Sequence, residues 1–215
     1  VCAICHVEYS FQGEGMILTM PWSNGTTIEG VVKFYNDLQF ADWKYPETGT
    51  PIIKMQHPDY ELFTNGSTHF NAGVACADCH MPYVRDGSMK YTSHDIKSPL
   101  IDDGKACATC HTDTKFVVNR VNIIQDQTWA TMEKTEEAII AAIDAMKIAA
   151  ADTGAEAALL DEARQLHREA QAKWDFIAAE NSMGFHNPTE ALRILASATD
   201  LARQAQIKAI EAVKK

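Results

Sequence analysis

The chain has 215 residues, 46% of them hydrophobic, and a formal net charge of −10, a composition that supports one sizeable core or two small ones. An acidic balance with no basic run excludes a nucleic-acid partner, because phosphate binding draws on clustered lysine and arginine. No uninterrupted apolar stretch of about twenty residues offers a bilayer span, and no charged start with an apolar region and cleavage site marks a leader.

From Val1 to about Phe116 the sequence reads as loop-rich, with short helical pieces between Gly, Pro and Asn punctuation. One clear helix is expected inside it: Thr26-Thr27-Ile28-Glu29 reads as a capping box, and Ile28, Val31, Val32, Tyr35 and Leu38 follow at helical spacing, fading by Trp43. No period-two alternation is long enough to argue for a sheet. After about Val117 the composition turns to Ala, Glu, Gln, Lys and Ile. Val117, Val121, Ile124, Thr128, Thr135, Ile139, Ile143 and Met146 form one stripe, predicting a helix of roughly thirty residues. A second helix is predicted from about Ala155 through Leu159, Ala163, Leu166, Ala170, Trp174 and Ile177. The third opens at Asn187-Pro188-Thr189-Glu190, an N-cap with Pro at the first helical position, and runs to the chain's end. The fold class is therefore mainly α: a loop-rich region, 1–116, followed by a long-helix region, 117–215, for packing or a subunit interface.

All six cysteines fall into three pairs, Cys2/Cys5, Cys76/Cys79 and Cys107/Cys110, each spaced by two residues and followed at once by His6, His80 or His111. On a helical turn, positions i, i+3 and i+4 share a face. Two thioether bonds then fix a porphyrin edge while the histidine reaches the iron, so the pattern reads as three haem c attachment sites rather than disulfides. Haem is attached to cysteine outside the cytoplasm, after export, yet the chain begins inside a motif. A further N-terminal part is therefore expected upstream of Val1.

Three irons need six axial ligands, and the motifs supply three. Five histidines remain: His57, His69, His94, His167 and His186. Imidazole on both sides suits a low-potential electron-transfer haem. Methionine competes, but Met81 abuts a proximal His and no other Met has a spacing that singles it out. His69, His94 and His186 are the candidate distal ligands, His186 standing rigidly before a helix start. His167, inside the second long helix beside Leu166, Ala163 and Ala170, reads as packed. His57 reads equally as an axial ligand or a surface residue.

Two stretches go beyond an electron carrier: Cys5-His6-Val7-Glu8-Tyr9 and Lys54-Met55-Gln56-His57-Pro58. Glu8 and Gln56 offer hard oxygen ligands, and backbone carbonyls near Tyr9 and Lys54 complete a candidate calcium site. Together, with the later motifs, His69, His94 and the long helices interrupted by His186, these marks resemble the ammonia-forming cytochrome c nitrite reductases. Those are pentahaem periplasmic enzymes that reduce nitrite to ammonium with six electrons. The resemblance implies that Tyr9 and His57 line the distal pocket of the active-site haem, and that Glu8 and Gln56 by side chain, with Tyr9 and Lys54 by carbonyl, hold calcium. It further implies that His69 serves the Cys107/Cys110 haem, His186 the Cys76/Cys79 haem, and His94 a haem attached upstream. It also implies a homodimer built on the long helices and a membrane-bound quinol-oxidising cytochrome as donor. The family's catalytic haem is attached by Cys-x-x-Cys-Lys, a motif missing from this sequence along with the second haem's motif and a pocket arginine, so the chain reads as a C-terminal portion. The competing readings are a non-enzymatic multihaem electron-transfer cytochrome and the C-terminal part of an octahaem nitrite reductase.

Overall fold

Three long helices make up most of the C-terminal half of the computed structural model, which describes residues 1–213. The first, α5, spans Thr114–Ala151, its start capped by Asp113, whose carboxylate accepts from Phe116 N at 2.9 Å. It is longer at both ends than the stripe alone suggests, because alanines continue the helix cheaply to Ala151. Val121, Ile124, Thr128, Thr135, Ile139 and Met146 are buried, and Val117 and Ile143 are half-buried. Helix α6 spans Ala157–Ala179 and α7 spans Pro188–Val213. Asn187 accepts from Glu190 N at 3.3 Å and Pro188 takes the first helical position, where its missing N–H costs nothing. The predicted run to the last residue includes Lys214 and Lys215, which lie outside the described residues.

Alanine sets how closely these helices meet. Ala191, Ala198, Ala202, Ala205, Ala209 and Ala212 form one buried stripe on α7, facing Ala163 and Ala170 of α6 and Ala138, Ala142 and Ala149 of α5. Small side chains at the contact let the axes approach.

In the first half, α1 spans Ile28–Asp37. The cap lies one residue later than the sequence suggests: Thr27, not Thr26, accepts from Gly30 N at 3.2 Å. Glu29 therefore does not reach back over the cap. It pairs with Lys173 at 2.7 Å and Arg193 at 3.1 Å, tying α1 to the long helices. Gly30 lets α1 approach the preceding loop, since a Cβ there would lie 2.4 Å from the Asn24 carbonyl oxygen. Leu38 is the C-cap and half exposed rather than part of the buried stripe. Short helices follow: α2 (Asp59–Thr64), α3 (Thr68–Asn71) and α4 (Cys76–His80). Strands occur only as two-stranded antiparallel ribbons among the described residues: β1 (Ser10–Gln12) with β2 (Ile17–Thr19), β3 (Trp43–Lys44) with β4 (Pro51–Ile52), and β5 (Tyr83–Asp86) with β6 (Met89–Thr92). The fold is mainly α, as the sequence indicates.

The largest core cluster joins the two halves. Ile28, Val31, Tyr35, Ile53, Met55 and Leu62 from the loop-rich region pack with Met132, Phe176, Ile177, Ile194 and Leu195. Arg168 of α6, 3% exposed, adds a polar clasp: its guanidinium donates to Asn36 Oδ1 (2.8 Å), Pro51 O (2.9 Å) and Phe40 O (2.7 Å).

Candidate haem sites and substrate pocket

The three cysteine motifs adopt tight helical turns, in which positions i, i+3 and i+4 share a face. Cys76–His80 is the short helix α4. The other two are 3-10 turns, Cys2–Ile4 and Cys107–Thr109, each closed by an α-type bond from histidine N to the first cysteine's carbonyl, 3.0 Å at His6 and 2.8 Å at His111. All six thiols are free, and most are exposed. The Cys2 and Cys76 thiols are neighbours, as are those of Cys79 and Cys107, so the three turns converge on one region.

Imidazoles gather there in pairs. The His69 and His111 rings lie 6.4 Å apart between centres, and His80 and His186 also lie 6.4 Å apart. A metal–imidazole bond of about 2.0 Å on each side, with about 1.2 Å from nitrogen to ring centre, separates two trans ligands by about 6.4 Å. Each pair therefore has the centre-to-centre separation that two imidazoles on one iron would need, so these residues fit haem. His94 stands exposed beyond β6. His167 is buried, with Nδ1 3.0 Å from Thr50 Oγ1. Burial pushes it down to about 4.

The Nδ1 atoms of two ring-paired imidazoles are held by hydrogen bonds and that of a third lies between two carboxylates, the kind of contact that fixes ring orientation in metal sites. His80 Nδ1 lies 2.9 Å from Lys97 O, and His6 Nδ1 lies 3.0 Å from Asp59 Oδ2. His186 Nδ1 sits 3.4 Å from both Asp59 Oδ1 and Glu180 Oε2, without a well-directed hydrogen bond to either. Burial works against protonating His186, yet the two carboxylates prevail and push it up to about 9. The turn that aims His186 contains two left-handed residues, Met183 (φ 50°) and Gly184 (φ 79°), and a Cβ on Gly184 would lie 2.4 Å from Thr128 Oγ1.

Tyr9 and His57, far apart in sequence, line one open cavity of about 280 Å³ with Ile4, Cys5, Val7, Leu18 and Met20. The His57 ring is 6.1 Å from His6 and tilted by 56°. Ring spacing alone allows it to face an iron or the cavity.

Beneath the pocket, the two predicted calcium-binding stretches are stitched together. Gln56 N donates to Glu8 Oε2 at 2.7 Å, and Tyr35 Oη donates to Glu8 Oε1 at 2.8 Å. Burial, reinforced by Glu61 and Asp175, pushes Glu8 up to about 8. The Gln56 side-chain amide lies 3.5 Å from Lys54 O; turning that amide would bring two oxygens together as a cation requires. Glu61 Oε1 accepts from Glu8 N (2.9 Å) and Trp22 Nε1 (2.8 Å), while its buried Oε2 has no partner. This donor set, hard oxygens and carboxylates buried at a cost in free energy, suits calcium. Asp175 accepts from Met55 N at 2.7 Å and from the Lys54 ammonium at 3.1 Å, fixing the second stretch against α6.

Sequence reasoning missed Asp59, Glu61, Asp175 and Glu180, all buried and all holding site residues in place. No spacing rule marks them. The only signal for Asp59 is its place directly after His57-Pro58.

The whole chain, residues 1–215, matches the family described as cytochrome c552. It is 39% identical over 216 residues to the cytochrome c-552 of Parabacteroides distasonis, covering 100% of this chain and 43% of that protein. With the cytochrome c nitrite reductase subunit NrfA of Nitratidesulfovibrio vulgaris it shares 40% identity over 236 residues, covering 100% of this chain and 45% of the relative. Among solved structures, the cytochrome c nitrite reductase catalytic subunit of Desulfovibrio desulfuricans, described with two calcium sites, matches with a TM-score of 0.92 and 38% identity, over 98% of this chain and 48% of that one. The chain spans less than half the length of these relatives.

Proposed function

Since the chain belongs to the cytochrome c552 family, we propose that it supplies three electron-relay haems, a substrate-pocket wall and a calcium site to an enzyme reducing nitrite to ammonium. One observation carries this reading: two motif histidines each lie 6.4 Å, centre to centre, from a second imidazole, in a chain whose Tyr9 and His57 line a cavity of their own. The haems would be held by Cys2, Cys5 and His6; by Cys76, Cys79, His80 and His186; and by Cys107, Cys110, His111 and His69. His94 is left to reach a haem attached outside this chain, as is the lysine-ligated iron at which nitrite reacts. Haem c, when attached, supplies the one-electron redox chemistry.

Nitrite takes up six electrons and eight protons to give ammonium and two waters, so the pocket must deliver protons as well as charge. His57 donates a hydrogen bond to a nitrite oxygen and helps the N–O bond break by handing that oxygen a proton. Tyr9 Oη is the second donor. Glu8 and Gln56 by side chain, with Tyr9 and Lys54 by carbonyl, would hold calcium and so keep the stretches bearing Tyr9 and His57 in register. A chain of net charge −10 does not steer an anion globally, so attraction must be local to the pocket and its channel.

In this reading the protein works in the periplasm, because thioether attachment of haem takes place outside the cytoplasm; no described helix is long and apolar enough to cross a membrane. Phe116, Ile123, Ile140 and Ile148 lie exposed on α5, away from its buried stripe, and supply an apolar face for a homodimer. A membrane-anchored quinol-oxidising cytochrome is the electron donor in this reading.

The 6.1 Å spacing of His57 from His6 favours a second reading, an electron carrier with every iron six-coordinate. Nitrite turnover by the holoprotein carrying this chain separates the two. His57→Asn should lower kcat by about 10²-fold or more, the scale of a lost proton donor, while the haem count by mass stays unchanged. Unchanged turnover removes His57 from the reaction. Loss of a low-spin haem signal in the variant identifies His57 as a ligand.

A further inference from the structure

We propose that Asp59 is a shared positioning residue whose single carboxylate orients axial imidazoles of two different haems, His6 at the Cys2/Cys5 haem and His186 at the Cys76/Cys79 haem, and so sets both reduction potentials together. The inference rests on the haem ligation given under Proposed function.

The geometry is that of a clamp. Asp59 opens α2, and its side chain is 8% exposed. Oδ2 faces His6 Nδ1 at 3.0 Å and accepts from Asn181 Nδ2 at 2.8 Å. Oδ1 accepts from Asn181 N at 2.8 Å and faces His186 Nδ1 at 3.4 Å. The two Asn181 bonds stop the carboxylate from rotating, so one oxygen is committed to each imidazole. With Nε2 of His186 given to iron, its buried Nδ1–H would have Asp59 and Glu180 as its nearest acceptors among the described residues.

Asp59, Glu180 and His186 offer ligand atoms within 4.8 Å of one another, a grouping that could be taken for a metal site. The lone pairs are already committed, however. Asp59 has its donors from Asn181 and His6, and Glu180 accepts from Ser182 N (2.8 Å), Ser182 Oγ (2.7 Å) and Gly184 N. A cation would have to displace these N–H and O–H donors, whereas an imidazole N–H completes the set.

An imidazole whose N–H points at a carboxylate is a stronger electron donor to its metal than one bound to a neutral carbonyl. That favours the ferric state and lowers the potential. His80, on the other side of the Cys76/Cys79 haem, has the neutral partner, Lys97 O. The anionic contribution to that haem therefore enters through His186, and the same charge acts on the Cys2/Cys5 haem through His6. The Cys107/Cys110 haem, with His69 and His111, has no such contact among the described residues and serves as the internal reference.

The test is a potentiometric titration of the holoprotein, followed by absorbance and electron paramagnetic resonance. Asp59→Asn is expected to raise the reduced-to-oxidised ratio at fixed potential about tenfold at two haems, a positive shift of about 59 mV for each one-electron couple. Glu180→Gln, which faces His186 but not His6, is expected to move only the Cys76/Cys79 haem. Neither should move the Cys107/Cys110 haem. If Asp59→Asn does not fold, Asn181→Ala keeps the charge but frees the carboxylate, and the g-values of the same two haems should change. All haems low-spin with one potential or none moved by Asp59→Asn, or g-values unchanged in Asn181→Ala, overturns the shared role. A different failure exposes the underlying assignment: if His186→Ala leaves the number of six-coordinate haems unchanged, His186 is not a ligand and the proposal falls with it.

Discussion

Replacing Arg168 with methionine measures how firmly the pocket segment is tied to the long helices. The guanidinium satisfies three acceptors at once, Asn36 Oδ1, Pro51 O and Phe40 O, at 2.8, 2.9 and 2.7 Å. Methionine fills much of the volume and donates nothing. A buried acceptor stripped of its partner costs about 1–3 kcal/mol. Phe40 and Pro51 are only half-buried, so water repairs part of the loss, and the variant no longer has to bury a cation. These offsets place the net cost at about 3 kcal/mol. For a chain of this size about 1 kcal/mol moves the melting midpoint by about 2–4 °C, giving a fall of about 6–12 °C. Arg168→Lys keeps the charge but reaches one acceptor, and should lose about two-thirds as much. The assay is thermal unfolding of the ferric holoprotein by circular dichroism. A midpoint change under about 2 °C for methionine, or a lysine variant as stable as the parent, would refute the reasoning.

The buried Glu8 predicts a calcium-dependent pH response. Its folded-state value is raised from 4.5 to about 8, so without calcium the neutral form contributes stability that is complete below about 4.5 and lost as pH rises through about 8. Calcium binds the anionic form and should cancel that decline, so melting midpoints with chelator and with calcium should diverge as pH rises across this window; parallel curves count against the site. Gly184→Ala brings a Cβ to 2.4 Å from Thr128 Oγ1 at φ 79°. It should cost about 1–3 kcal/mol in denaturant unfolding and weaken the six-coordinate signal of the Cys76/Cys79 haem, because this turn aims His186.

The three attachment motifs and the long helices were legible because each repeats a local rule: cysteine spacing for one, a stripe of period 3.6 for the other. The cap of α1 falls one residue later than the sequence suggests because Glu29, which marks Thr26 as the start of a capping box, pairs with Lys173 and Arg193 instead, while Thr27 accepts from Gly30 N. The ring pairing of His69 with His111 and of His80 with His186 follows from no spacing; the family resemblance alone suggested it. The buried acids were invisible for a different reason. Asp59 and Glu61 sit in a short helix where any sequence rule would leave them in solvent, and what buries them is donated from remote positions such as Asn181 and Trp22.

The proposed pairing of His80 with His186 carries a cost in biogenesis. The two residues are separated by roughly a hundred positions, and the second belongs to a turn that takes shape only when α6 and α7 have docked. On that assignment, the iron of a porphyrin joined to Cys76 and Cys79 would keep one side open until about the last quarter of the given chain has folded. A chain truncated before α7 would then hold a redox centre open to small oxidants and ligands.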